Sequence, residues 1–485
     1  MDCNWFKRLK KHLLILRQHM SQGHNRLKEL ETFLSEHDRP DSPLSHVDLL
    51  IPDMNGILRG KQLTGKTIEK IYTEGVRLPG SNYLLDWTGQ NVETMKFGTS
   101  DGDPDYFCFG APGTLKIVPW SRRKSGQVIA SMYDAAGTPH FADPRHLLQK
   151  CYAPLQDMGL TAVVAIEYEF YLIDQQAASE GRIMPAASPQ SGWRPATTNV
   201  YSHDDLADFD DFLSDVHHAC RQQGLGADTI VSEYAAGQFE INLNHVGDPL
   251  KACDRAIMLE RAIKQTALNH GVIATFMAKP FAEQVGSGLH VHVSLVDEDG
   301  NNVFAGDMDD TLNRPVSDTL RHAIGGLLDT MAEGMAIFAP NANSYRRLRS
   351  GSYAPVEGHW GGDNRTVSLR IPGGERNAMR IEPRVSGADA NPYLLTAAIL
   401  AGIHHGIKNR ITPQPPTIDD AYSQRGIPLP RRWFNALEAF RQGKTLKSYF
   451  GGQWAECFFA ARMQECEAHH HTIPQLDYEW YLRTS

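Results

Sequence analysis

Hydrophobic and polar residues alternate with a period of two in four short stretches of this chain. Side chains of an extended strand point to opposite faces in turn, so each stretch sorts its residues onto two sides. In AVVAIEYEFYLI, Glu167 and Glu169 share one face, and Ile166, Tyr168, Phe170 and Leu172 share the other. GQFEINLNH sets Glu240, Asn242 and Asn244 against Ile241 and Leu243, with Glu233 just upstream. GSGLHVHVSL sets His290, His292 and Ser294 against Leu289, Val291, Val293 and Leu295, and MRIEPRV groups Arg380, Glu382 and Arg384. One such strand alone describes a half-exposed sheet with solvated charges. Four of them predict a single sheet with a polar concave side, where clustered carboxylates need cations to neutralise them.

Other patterns set the organisation. Residues 4–34 predict a basic amphipathic helix with Trp5, Leu9, Leu13, Leu16 and Met20 on one face. Its second half carries acidic residues, which favours packing on protein over a membrane surface. HVDLLIPDMNGILRGKQ predicts two strands joined by a turn at Asp53–Gly56, opening a small β domain. Breaks rich in Pro and Gly around 100–126 and 134–144 separate it from a larger segment of alternating strands and helices. The expected division is a helix over 1–40, a β domain over 41–135 and a catalytic body over 136–485. No internal repeat or low-complexity tract suggests a solenoid or a disordered scaffold.

A length of 485 residues exceeds one ordinary domain, in keeping with that division. The formal charge of −9 supplies no basic excess for phosphate backbones, so nucleic acid is not an expected partner. Seven scattered cysteines, Cys3, Cys108, Cys151, Cys220, Cys253, Cys457 and Cys466, form no CxxC pair and read as reduced thiols in the cytoplasm. No run approaches the ~20 apolar residues of a membrane span. Basic residues on both sides of the short run Leu13–Leu16 argue against a cleaved secretory leader.

Five glutamates (Glu167, Glu169, Glu233, Glu240 and Glu382) and His290 make a hard, oxygen-rich ligand set. It favours Mg²⁺ or Mn²⁺ over zinc and leaves coordination positions for phosphate oxygens. Arg347, Arg365, Arg370, Arg380 and Arg384 lie in or near the same segments, and their planar forks can clamp carboxylates or phosphates. The combination points to phosphoryl transfer. A rival phosphate site, GKQLTGKT from Gly60 to Thr67, formally fits the pattern GxxxxGK[ST]. The turn-rich PDMNG before it and the poor hydrophobic context do not supply the buried strand such a loop needs.

The ordered motifs VVAIEYEFYL, SEYAAGQFEINL, FMAKPFAEQVGSGLHVHVSL, PNANSYRRLRSGSYAPV, NRTVSLRIP and RIEPRVSGADANPYL resemble the glutamine synthetase superfamily from about residue 45 to the end of the chain. The resemblance implies an α+β fold: an amino-terminal β-grasp domain and a catalytic domain with a curved antiparallel sheet. It also implies a dodecamer of two stacked hexameric rings with active sites between subunits. Carried over by motif, Glu169, Glu233 and Glu240 would hold the metal near the amine and glutamate, and Glu167, His290 and Glu382 the metal on the ATP phosphates. Gly286, Arg347 and Arg384 would hold glutamate. Asp228, His292, Ser294, Arg365, Arg370 and Arg380 would contact the nucleotide, with Arg365 and Arg347 acting in catalysis. The implied reaction is attack of glutamate's γ-carboxylate on ATP, giving a γ-glutamyl phosphate that an amine displaces, with two or more divalent ions per site.

Departures from the family pattern bear on the amine. Where glutamine synthetases carry a flap glutamate in GYEAPV, this chain has GSYAPV, with neutral Tyr353 at that position. The DGSS motif that holds ammonium in the family is absent, and the region reads GVRLPGSNYLLDWTGQNVE. Val285 stands where an asparagine precedes the GSG turn, and no NLYD adenylylation motif is present. Together with VDLLIPDMNGILRGK and WGGDNRTVSLRIP, these features resemble the glutamate–polyamine ligases and imply putrescine or another polyamine in polyamine catabolism. A monoamine such as ethanolamine, or ammonia itself, are the alternatives. An aliphatic amine with a pKa near 10.4 costs roughly 4–5 kcal/mol to present as the free base at neutrality, so a base such as Glu169 or Glu233, or desolvation beside Tyr353, is required. For a distal cation, Asp86, Trp87 and Glu93 are candidate partners, beside the plain reading of them as surface residues.

Overall fold

In the computed structural model, which describes residues 27–485, strands and helices surround one large hydrophobic core, with a small second cluster of Tyr171, Ile173 and Ala235. The described part opens on a helix over 27–37 that buries Leu30 and Phe33. The remainder of the helix expected over 4–34 lies outside the described residues.

Residues 46–133 build a mixed sheet. Its strands are β1 (His46–Pro52), β2 (Leu58–Leu63), β3 (Val76–Pro79), β4 (Asp105–Gly110), β5 (Lys116–Ile117) and β6 (Ser125–Tyr133). The order is β2-β1-β6-β4-β3, with β5 also on β6. The first and last strands run parallel at the centre, and the other pairs are antiparallel, which is the arrangement of the expected β-grasp. Central β1, HVDLLIP, is apolar on both faces, whereas edge strand β2, LRGKQL, is mostly polar. A Cβ at Gly60 would meet the Leu49 carbonyl oxygen at 1.7 Å, so only glycine lets the two strands approach there. GKQLTGKT is thus half edge strand and half the short 3₁₀ helix Gly65–Ile71, and it is not the strand–loop–helix of a phosphate-binding loop.

The second sheet is antiparallel throughout. It comprises β7 (Thr161–Asp174), β8 (Ala227–Ser232), β9 (Gln238–Leu243), β10 (Val272–Thr275) and β11 (Leu289–Val296), ordered β10-β7-β9-β8 with β11 also paired to β7. Along β7, Ala162, Val164, Ile166, Tyr168 and Phe170 are fully buried, while Glu167 and Glu169 on the opposite face are half-buried. The apolar face packs against the helix Pro249–Asn269, and Phe170 meets Phe212, Phe239 and Phe276 at ring separations of 5.6–6.5 Å. Truncating Phe170 to alanine would cost about 3–5 kcal/mol of stability.

The fourth expected strand is a correction. Within MRIEPRV only Glu382–Pro383 is strand, and it belongs to a separate three-stranded sheet with Trp360–Gly361 and Leu369–Arg370. Pro383 offers no N–H to continue a ladder. One bridge, Val293 to Ile381, still ties this segment to β11, so Arg380, Glu382 and Arg384 reach the polar side of the larger sheet.

The helix Pro392–Asn409 is buried on nearly every side and packs along Asp318–Phe338. Its cap Asn391 accepts from the Tyr393 and Leu394 amides and donates to the Asp53 carbonyl, joining the catalytic body to the β1–β2 turn. Among the described residues no helix is long and apolar enough to cross a membrane.

Candidate active site

The polar side of the second sheet opens into a cavity of about 550 Å³. Glu167, Glu169, Glu233, Glu240 and His290 line it, facing Arg347, Arg365, Arg370 and Arg384. Strand register explains the acidic side. Glu167 stands opposite His290 on β11 and Asn242 on β9, and Glu169 stands directly opposite Glu240. Two carboxylates facing each other across a ladder destabilise a sheet, so this pair has to be held by something other than strand pairing.

The electrostatics show the strain. Burial pushes Glu240 well above the ordinary carboxylate range, and the charges of Glu167, Glu169 and Glu233 push it the same way. Burial and neighbouring Glu169 lift Glu233 to about 7. Burial also acts to raise Glu167, but its contacts with His290 and His292 outweigh that and hold it below its ordinary value.

Two trios place their ligand atoms within 4.8 Å of one another: Glu167, Glu240 and His290, and Glu167, His292 and Glu382. His290 Nε2 and His292 Nε2 are buried without a hydrogen-bond partner among the described residues. His292 Nε2 lies 2.8 Å from Glu167 Oε1, close but misaligned for a hydrogen bond, as two groups directed at a shared cation would be. Orphaned imidazole nitrogens beside crowded carboxylates fit divalent cations, and the carboxylate majority fits a hard ion. His290 Nδ1 lies 3.4 Å from Glu167 and 3.9 Å from Glu382, the neighbours expected of it, and it stands with Glu240 as well. His292 joins Glu167 and Glu382 beside it, because the β11 alternation sets both imidazoles on one face. Glu169 and Glu233 line the cavity outside these trios. Glu169 instead accepts from the Gly288 amide at 2.8 Å and from Gln238 at 3.2 Å.

The basic side is built around Arg347. It is buried, and burial lowers its pKa, yet among the described residues its guanidinium donates only to the backbone carbonyls of Val385 and Arg384. A buried guanidinium without a carboxylate partner is a receptor for an anion. Glycine makes room for it: a Cβ at Gly286 would lie 2.6 Å from Arg347 Cγ, and one at Gly288 would lie 2.9 Å from its terminal nitrogen. Arg384 is paired with Glu382, while Arg370 bonds Glu382 at 2.7 Å and Asp363 at 2.6 Å. Arg380 donates to His292 Nδ1 at 3.1 Å, turning the other ring nitrogen toward the acids. Arg365 is exposed at the cavity and has no ion pair among the described residues.

Some expected residues lie elsewhere. Asp228 is exposed at the start of β8, bonded to Thr229, and Ser294 is half-buried in β11; neither lines the cavity. Asp86 is consumed by the amides of Thr88 and Gln90 and the Thr88 hydroxyl. Trp87 donates its amide to Glu465, and both residues line a different cavity of about 970 Å³. Glu93 is exposed at the head of a short 3₁₀ helix. Within one chain, then, none of these three faces the acidic cavity.

Three residues at the site escaped the sequence reading. Gln238 donates to Glu169, to the Gly286 carbonyl at 3.2 Å and to Ser287, locking the GSG turn to β9. The alternation that picked out Glu240 and Asn242 extends back to it. Tyr234, beside Glu233 in the β8–β9 hairpin, and Tyr201 also line the cavity, and nothing in the hydrophobic pattern marked them.

Comparison with known proteins adds three likenesses and a family. The glutamine synthetase catalytic-domain model matches residues 141–481. γ-Glutamylputrescine synthetase of Escherichia coli K12 is 38% identical over 440 residues, 91% of this chain and 92% of that protein. Glutamate–isopropylamine ligase of a Pseudomonas species is 31% identical over 470 residues, 95% and 99% of the two chains. Among solved structures, a GmaS–ADP complex superposes with a TM-score of 0.80 at 27% identity, covering 93% of this chain and 98% of that one.

Proposed function

The chain belongs to the glutamine synthetase family, and from that premise we propose that its amine substrate is an aliphatic diamine, with putrescine the best fit, in polyamine catabolism. Its activity is ATP-dependent ligation of an amine to the γ-carboxylate of glutamate, and the family uses divalent metal ions for it. The observation that carries the amine reading is Tyr353. It stands 52% exposed at the mouth of the acidic cavity, where the family's ammonia users place a carboxylate. A neutral ring there removes a counter-charge for small ammonium and leaves an apolar surface suited to an alkyl chain. The 38% likeness to a γ-glutamylputrescine synthetase supports the same reading, and the isopropylamine ligase keeps a monoamine as its nearest rival.

In this reading Arg347 receives the glutamate carboxylate, with Gly286 and Arg384 beside it. Arg365, Arg370 and Arg380 receive the nucleotide phosphates and stabilise the charge that develops on the transferred group. Glu167, Glu240, His290, His292 and Glu382 would hold the divalent ions, with Glu169 and Glu233 completing the set nearest the amine; Mg²⁺ or Mn²⁺ fits this set. Such ions supply charge neutralisation for phosphoryl transfer. Glu169 and Glu233, on the cavity wall beside Tyr234, are the carboxylates placed to take a proton from the incoming ammonium. Asp228, Ser294 and Arg380 do not line the cavity itself, and their nucleotide contacts rest on the motif resemblance. A cytoplasmic dodecamer of two hexameric rings, with the β domain of 41–135 completing a neighbour's site, is the matching assembly.

The test is ATP-dependent phosphate release with glutamate and Mg²⁺ across ammonia, monoamines, putrescine, cadaverine, spermidine and spermine, with product masses measured. Release driven by a diamine with formation of its γ-glutamyl adduct is expected. Release driven by ammonia alone would make this a glutamine synthetase and end the interpretation of Tyr353.

A further inference from the structure

Three tyrosines ring the cavity mouth and share unusual features. Tyr201, Tyr234 and Tyr353 are 55%, 43% and 52% exposed, and all three line the cavity that holds Glu169, Glu233 and Glu240. Tyr201 and Tyr353 also hold left-handed backbone, with φ of +57° and +55°, a conformation that bulky residues avoid unless the surroundings enforce it. The surroundings here are the site itself. The Tyr201 amide donates to the Ser232 carbonyl at 3.1 Å, one residue before Glu233. Tyr353 follows Ser352, whose hydroxyl bonds the carbonyls of Arg347 and Arg349. The Tyr234 amide donates to the Glu233 carboxylate at 3.1 Å. Each ring is thus anchored through its backbone to a segment carrying a cavity residue.

The Tyr234 and Tyr353 rings have centroids 6.5 Å apart and planes tilted by 56°. They are in contact range yet not stacked, and neither hydroxyl has a hydrogen-bond partner among the described residues. A cation placed off the line between the centroids can lie within ~6 Å of both faces, the range in which an ammonium is attracted to an aromatic ring. The acids behind them reinforce the same sign of charge. Of a diamine's two nitrogens, one must enter as the free base to be acylated while the other stays protonated, so the molecule presents an alkyl chain ending in a cation.

We propose that Tyr234 and Tyr353, with Tyr201 beside them, form the wall that receives the alkyl chain and distal ammonium of the amine and thereby select diamines over monoamines. The inference rests on the diamine reading above and deepens it, naming Tyr234 as a specificity residue. It adds the cavity's own rim to the candidates for the distal cation, beside Asp86, Trp87 and Glu93, which do not line this cavity within one chain.

The experiment compares kcat/KM for putrescine and n-butylamine, equal in carbon chain but different in distal charge, in the intact enzyme and in its Tyr234→Ala, Tyr234→Phe and Tyr353→Ala variants. Tyr234→Ala and Tyr353→Ala are each expected to lower the putrescine-to-butylamine ratio about three- to thirtyfold, leaving KM for ATP and glutamate unchanged. Tyr234→Phe, which keeps the ring, should hold the ratio within about twofold. An unchanged ratio in both alanine variants, or a loss that falls on KM for ATP, would overturn the wall while the diamine reading stands. An unmodified enzyme that uses ammonia alone would overturn both.

Discussion

The β1–β2 turn and the β7–β9 wall both bury carboxylates, but they treat them differently. Asp53 in the turn accepts from the amides of Asn55 and Ile57 at 2.8 and 2.9 Å and from Arg59 at 2.7 Å. Burial still raises its pKa, yet every lone pair it offers toward the chain is answered. In the wall, Glu240 faces Glu169 across the ladder with no arginine or lysine paired to it among the described residues, and its pKa is driven well above the ordinary range. A carboxylate buried for architecture is saturated by its own fold. One buried for chemistry is left short of cations, and the shortfall marks where the missing charge has to come from outside.

Breaking each region should therefore give opposite results, and the largest effect is expected in the wall. Glu240→Gln or His290→Ala should lower turnover about a thousandfold, the several kcal/mol that a catalytic cation supplies, while the metal-free protein melts at the same temperature or higher. Activity assays paired with thermal melts check this, and near-normal turnover in both variants would remove the metal assignment. Next, Asp53→Ala should cost about 3–5 kcal/mol of stability by leaving Arg59 and two amides unanswered, measured as a lower denaturant midpoint.

A pH series sharpens the contrast further. Glu233 titrates near 7 in the fold against 4.5 in a free chain, so the folded state binds the extra proton between those values. Stability of the metal-free protein from this group is fully present below about 4.5 and is lost as pH rises through 7. Added Mg²⁺ should oppose that loss, and a melting midpoint flat from pH 4.5 to 7.5 would count against it. The smallest effect is expected at the rim: Tyr353→Glu should raise the use of ammonia relative to putrescine roughly fivefold, the ~1 kcal/mol of an exposed ion pair.

Much of the wall was legible because strand periodicity is a local property. Alternation alone put Glu167 with Glu169 and His290 with His292, and β7 buries and exposes its residues in that order. The same argument failed at MRIEPRV, where Pro383 ends the ladder and the segment pairs with Leu369–Arg370 instead. It also passed over Gln238, although the period reaches it, because an uncharged amide carries no alarm until its three partners are seen. Motif resemblance brought in Arg347, but only its burial against Val385 and Arg384 shows a cation left open for an anion. Asp228, aligned loosely, falls outside the cavity altogether.

The sequence by itself determined which residues share a strand face, that the ligand set is hard and oxygen-rich, and that Tyr353 replaces a charge. The first two follow from residue type and a spacing of two, which need no knowledge of the rest of the chain, and the third follows from the resemblance to the family's flap motif. Only the tertiary structure decided which acids meet across the ladder, which histidine joins which trio, and that Tyr234 and Tyr201 stand beside Tyr353. Those are contacts between segments tens to more than a hundred residues apart, and the register and loop paths that create them are set by packing of the whole core.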